Sequence, residues 1–205
     1  MKRFPAPLVA LAAGTAVLIG NPPAQAHGSA AGGLLGGLSH PLLGIDHLVM
    51  LLAVGTAASF ISGRLLLWAL GGAAIGAVIG FTGSSLPAAE LLAALAISAT
   101  GLLTLIAARC ARASNIRALD TISGLVVGGG LAIHALLHGL EAPHDGSTVV
   151  WWSGALLSSV LVCGGSFLLL KKLPVSFTKA AALAFLAIGG LLALAPLALV
   201  GAGAS

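Results

Sequence analysis

The stretch PAAELLAALAISATGLLTLIAA, Pro87 to Ala108, holds 22 residues and one ionisable side chain, Glu90. At about 1.5 Å per residue a helix of this length covers roughly 33 Å, enough to cross a hydrocarbon core of about 30 Å. In lipid every backbone N–H and C=O must be satisfied within the protein, which leaves helices or a closed barrel. Barrel strands alternate polar and apolar residues, and this run of Leu and Ala does not. It therefore reads as a transmembrane helix. Working outward, comparable apolar stretches run from Pro41 to Ile61, Leu65 to Phe81, Thr121 to Glu141, Val149 to Leu170 and Thr178 to Val200. With the first, that makes six expected spans, of which Leu65 to Phe81 is short. Pro41 and Pro87 suit a first helical turn, where a missing N–H has no partner to lose. Asp120 is placed to cap the fourth helix.

Composition agrees. The chain has 205 residues, 59% hydrophobic and 7% charged, with a mean hydropathy of +1.13. A water-soluble domain carries about a quarter charged residues, so a soluble globular enzyme is excluded. Disorder needs low hydrophobicity, and collagen needs a three-residue glycine period that these 29 glycines do not follow. The expected fold class is an all-α membrane protein, a bundle of six transmembrane helices after a cleaved signal peptide.

The signal peptide is read from Lys2 and Arg3, the apolar run Leu8 to Ile19, and the small-x-small site Ala24-Gln25-Ala26. This divides the chain into a signal peptide at 1–26, an extracytoplasmic N-terminal segment at 27–40 and a six-helix transmembrane domain at 41–205. An uncleaved first anchor is the competing reading. Orientation follows independently, because cytoplasmic loops retain Lys and Arg. Arg64 follows the first span, Arg109, Arg112 and Arg117 the third, and Lys171, Lys172 and Lys179 the fifth. Those connections are expected inside, and both mature termini outside. The net charge of +4 and pI near 9.7 then report orientation and give no reason to expect nucleic acid as a partner.

Gly72, Gly76 and Gly80, and again Gly124 and Gly128, recur every fourth residue. Such faces let backbones approach closely, either within the chain or between copies in a homo-oligomer. Trp151 and Trp152, at the outer start of the fifth span, suit an interfacial aromatic belt. Cys110 and Cys163 read as small packing residues.

On this topology the His, Asp and Glu residues of the mature chain lie in the outer half, except Asp120. Ionisable residues within a bilayer are costly and mark functional paths by default. Two clusters stand out. His40-Pro41-Leu42-Leu43-Gly44-Ile45-Asp46-His47 opens the first span, with Met50 a turn deeper. His134-Ala135-Leu136-Leu137-His138-Gly139-Leu140-Glu141 closes the fourth, and its i, i+4, i+7 spacing puts two imidazoles and a carboxylate in one stripe. By helical rise, His47 and His134 lie at matched depths, roughly 9 to 10 Å from the outer ends of their helices. If the two helices are neighbours, these side chains form a column of nitrogen and oxygen ligands leading inward. Imidazole with carboxylate suits Ni, Co, Zn, Cu(II) or Fe(II). Asp46 and Glu141 would offset part of a dication's lost hydration.

Outside the clusters, His27 would become the N-terminus on cleavage, and its α-amine and ring nitrogen together form a chelate able to capture metal at the entrance. His144 and Asp145 read as loop polarity more than as further collectors. Glu90, in a first turn, suits the positive end of its helix.

At the two clusters the sequence resembles the HupE/UreJ family, membrane proteins associated with nickel-enzyme operons (hydrogenase and urease) and regarded as nickel or cobalt permeases. His40, Pro41, Gly44, Asp46 and His47 match its pattern H-P-x-x-G-x-D-H. His134, His138, Gly139 and Glu141 match the polar positions of H-G-x-A-H-G-x-E, with Ala135 and Leu137 in place of a Gly and an Ala. The resemblance covers the mature chain and implies Ni²⁺ or Co²⁺ as the transported ion, no prosthetic group, no enzymatic activity, and a multi-pass location in the bacterial inner membrane.

No G-x-x-x-x-G-K-[ST] loop is present, so nucleotide hydrolysis is not expected to drive transport. An inside-negative potential favours cation entry by about 2.3 kcal/mol per charge per 100 mV, and a dication gains about twice that, over a thousandfold in accumulation. The expectation is a secondary uptake permease using His40, Asp46, His47, His134, His138 and Glu141, with His27 at the entrance. The rivals are an intramembrane zinc hydrolase, weakened because Ala135 breaks an H-E-x-x-H pairing, a haem protein with His47 and His134 as axial ligands, and a metal sensor or store that does not transport.

Overall fold

The structure, a computed structural model, describes residues 33–110, 116–143 and 145–202. The expected signal peptide at 1–26 and the segment 27–32 lie outside the described residues. Those residues form seven helices: α1 Gly33–Leu43, α2 Ile45–Phe60, α3 Leu65–Phe81, α4 Ala89–Cys110, α5 Ile116–Glu141, α6 Thr148–Leu170 and α7 Val175–Ala202. The last four are long and apolar enough to cross a bilayer, and α3 is apolar but only 17 residues long. α1 and α2 together reach spanning length, with a bend of 75° between them. Large apolar side chains point outward, among them Leu67, Ile75, Val78, Val149 and Leu161, each more than half exposed. A soluble surface rarely carries so much apolar area, whereas lipid requires it. The chain is a multi-pass helical membrane protein.

The first span departs from expectation. Instead of one helix beginning at Pro41, the chain forms two, and Pro41 lies inside α1. Proline removes an N–H and crowds the preceding turn, and the helix ends two residues later. Gly44 then adopts an extended conformation (φ −73°, ψ 111°) and caps α2. The hydrogen-bond ladder continues across the break, with the Gly44 N–H on the His40 carbonyl at 3.1 Å and the Leu48 N–H on the Gly44 carbonyl at 2.9 Å. α1 is held by packing on α6. Gly37 and Gly154 line that contact, and a side chain at Gly37 would run into the Trp151 carbonyl.

α2 occupies the centre, touching every other described helix. Val49, Met50, Leu51, Ala53, Val54 and Ala57 are all buried, as expected of a helix apolar all round. The Cys163 thiol on α6 donates to the Leu51 carbonyl at 3.3 Å, which makes it the packing residue its sequence context suggested. On the far side, Gly72, Gly76 and Gly80 of α3 lie against the carbonyls of Gly128, Ala132 and Leu136 on α5. Their small-residue face is thus occupied within the chain. That contact fixes the rotation of α5, and with it the direction of His134 and His138.

α5 also begins one turn earlier than expected, at Ile116. Asp120 is therefore not an N-cap. It lies in the second turn with Oδ1 buried and without a hydrogen-bond partner among the described residues.

A candidate metal site at the helix break

Three elements bring the two sequence clusters together. His40 stands in the last turn of α1, Asp46 and His47 in the first turn of α2, and His134 and His138 on the inward face of α5. Because α2 restarts at Ile45, His47 sits closer to a helix start than a continuous span from Pro41 would place it. The break nevertheless brings it level with α5: the His47 ring lies 3.9 Å from that of His138 and 5.0 Å from that of His134, between centroids. His40 Nε2 is 2.8 Å from His138 Nδ1. A carboxylate at the positive start of α2 and an imidazole at the negative end of α1 both suit the helix dipoles.

Hydrogen bonding assigns the lone pairs. His134 Nδ1 lies 3.3 Å from the Gly130 carbonyl, which can only accept, so Nδ1 carries the proton and Nε2 the lone pair. That Nε2 is buried, has no hydrogen-bond partner among the described residues and faces Asp46 Oδ2 at 3.7 Å. Two acceptors so placed are stabilised by a proton or a metal cation between them. His47 Nδ1 donates to Asp46 Oδ1 at 3.0 Å, which leaves the His47 lone pair on Nε2, also buried and without a hydrogen-bond partner among the described residues. A carboxylate that orients a ligating imidazole in this way is a recurrent feature of metal sites.

Among the described residues the ligand atoms fall into two groups, each with all atoms within 4.8 Å of one another: His40, His47 and His138, and Asp46, His47 and His134. Access is graded, since the Asp46 side chain is 37% exposed and that of His134 3%. Deeper along α2, Met50 is fully buried, its Cε against Gly130, and Val54, Ile97 and Val127 belong to the same buried core.

Gly44, the glycine of the first pattern, has a steric role here. A Cβ at that position would stand 2.7 Å from His47 Nδ1 and 3.4 Å from Asp46 Oδ1. Gly139, from the second pattern, lies against the Gly80 backbone, where a Cβ would approach Cα to 2.7 Å.

Trp151 is a correction. It was expected in an interfacial belt, but it is fully buried, with its ring centroid 5.0 Å from that of His40 and 5.4 Å from that of Trp152. The inward turn of one of two adjacent tryptophans, set about 100° apart on a helix, is the one signal that could have revealed it.

The other expected site residues fall outside what the structure describes. His27 and His144 lie outside the described residues, and Glu141 ends α5 with its side chain likewise outside them. Glu90 occupies the first turn of α4, as its reading as a helix-end carboxylate requires. Asp145 Oδ1 accepts from the Ser147 N–H at 2.8 Å and the Ser147 hydroxyl at 2.6 Å, local bonds that hold its carboxyl below the usual range.

Compared with known proteins, residues 15–199 match the family model described as HupE / UreJ protein. The chain is 31% identical over 183 residues to "Protein HupE" of Rhizobium leguminosarum bv. viciae, covering 86% of this chain and 90% of that protein. No solved structure matches.

Proposed function

This chain belongs to the HupE/UreJ family, which is associated with nickel or cobalt uptake for hydrogenase and urease, and we propose that it is a secondary permease for inward movement of Ni²⁺. One observation carries the reading: a broken helix and α5 converge four imidazoles and one carboxylate, with two buried ring nitrogens that have no hydrogen-bond partner among the described residues. Broken helices at membrane depth are tolerated where they line a site, and transporters use them to bind ions. Imidazole and carboxylate suit Ni²⁺ or Co²⁺. The ion is cargo, not a resident cofactor.

In this reading the protein spans the bacterial inner membrane six times, with α1 and α2 as one broken span and α3 as a short one. Both termini face outside. The membrane potential drives entry, as its magnitude for a dication allows. Glu141, three residues beyond His138, extends the stripe at the outer end of α5, and His27 collects metal at the entrance. The direct edge-to-face contact of His47 and His134 speaks for a small ion and against a porphyrin plane held between them.

The test is radiometal uptake into proteoliposomes with Ni²⁺, Co²⁺, Zn²⁺ and Mg²⁺ in competition, with and without an imposed potential. Asp46→Ala, His47→Ala and Glu141→Ala variants that still reach the membrane are expected to lose uptake. Normal uptake by all three would end the hypothesis.

A further inference from the structure

We infer that the cluster is a two-position relay for a single ion: an outer triad of His40, His47 and His138, an inner triad of Asp46, His47 and His134, and a hand-over on the ring of His47. The inference rests on the permease reading and specifies how that site would work.

The two triads share one residue and differ in charge. Among the described residues the outer is imidazole only, and the inner contains Asp46. His47 Nδ1–H is committed to Asp46 Oδ1, so the ring has one lone pair, on Nε2, to serve both triads. A neutral imidazole binds one metal through one lone pair, so the two positions are alternatives. Repulsion between dications a few ångströms apart acts in the same direction. The order is set by depth on α5, where His138 lies one turn nearer the outer end than His134. A dication held first at His40, His47 and His138 is then drawn to the Asp46 carboxylate and the more deeply buried His134. Asp46 acts at both stages, through Oδ1 by orienting His47 and through Oδ2, beside His134 Nε2, as a ligand. Sharing a ligand keeps the ion partly coordinated throughout, so it need not regain water in an apolar surround.

The experiment is binding of Co²⁺ alone, followed by its visible absorption and by metal analysis, to the purified full chain in nanodiscs, with Co²⁺ uptake measured in proteoliposomes. The wild type should bind one Co²⁺ per chain. H40Q/H138Q should still bind one, roughly 10- to 100-fold more weakly, and regain uptake when Co²⁺ is raised. D46N/H134Q should also bind one, with a changed spectrum, and should not regain uptake at any concentration. H47Q should lose both positions. Single D46N and H138Q replace a double variant that does not accumulate. Two ions per wild-type chain would overturn the relay, as would loss of all binding in either double variant whose helical signal and thermal transition are intact, since that describes one fused five-ligand centre. A wild type that binds and transports Co²⁺ but gives either of those results fails the relay alone. One that neither binds nor transports Co²⁺ or Ni²⁺ fails the permease reading as well.

Discussion

His40 Nε2 stands 2.8 Å from His138 Nδ1, joining residues 98 positions apart and closing the outer end of the ligand cluster. Backbone packing does little to bring α5 and the broken span together here. α1 rests on α6 and α5 rests on α3, so the two clusters meet chiefly through their side chains across the gap. Such an arrangement holds a geometry while leaving the ligands free to exchange one partner for another. One of the two nitrogens donates and the other accepts, and binding a metal replaces that bond.

His40→Ala and His138→Ala should therefore each raise the metal concentration for half-maximal uptake, by at least the roughly 10- to 100-fold that loss of even an outer-shell partner costs a metal site. The double variant should show less than the sum of the two effects in free energy, because residues in contact couple. Uptake curves for the four proteins form the cycle. Strict additivity would mean that the contact has no part in the site.

Gly44→Ala tests the break itself. The added methyl would come within 2.7 Å of His47 Nδ1, so the ring must turn away from Asp46. Backbone strain is not the cause, since φ at Gly44 is −73° and suits alanine. The expected result is near-normal accumulation in the membrane with metal affinity reduced about tenfold or more. A variant that accumulates normally and takes up metal like the wild type would show that His47 does not need its observed orientation.

How much of this was legible in the sequence depends on what each feature rests on. The Leu65 to Phe81 helix matches its expected bounds, and α6 begins one residue before Val149 and ends at Leu170, because Gly, Pro, Ser and basic residues punctuate long apolar runs. The convergence of His134 and His138 with His40, Asp46 and His47 followed from helical spacing and matched depth only on the condition that their two helices are neighbours. The break at Gly44 did not follow. Pro41 suits a first turn, and residues 33–40 are short and glycine-rich, so only their packing on α6 makes them a helix. Trp151 was missed for the same reason, because which of two tryptophans faces inward depends on where α1 docks. Asp120 was misplaced because α5 continues past the point where its apolar pattern weakens.

Asp145 separates loop structure from metal capture. Its carboxylate accepts two bonds from Ser147, and these hold its carboxyl below the ordinary value. A depressed carboxyl contributes to the folded state above its ordinary value of 3.8 and loses that contribution as pH falls through the lower folded value. Asp145→Asn should thus leave metal affinity unchanged between pH 6 and 8 and flatten only the strongly acidic end of the stability profile, read by thermal unfolding in detergent. A several-fold loss of uptake at neutral pH would instead make Asp145 a collector of the ion.

Trp151 is the residue whose substitution most clearly divides packing from function. Its ring is fully buried beside His40, and its backbone carbonyl lies against Gly37, so it supports α1 and one ligand at once. Trp151→Ala should open a cavity costing about 3–5 kcal/mol, enough to lower the unfolding temperature and reduce accumulation. Trp151→Phe keeps an aromatic face with a smaller volume loss, so the protein should accumulate. His40 should then be less constrained, with half-saturation for metal raised several-fold and the maximal rate little changed. If Trp151→Phe instead lowered the maximal rate at unchanged half-saturation, the ring would act on the movement of α1 during transport and not on the placing of His40.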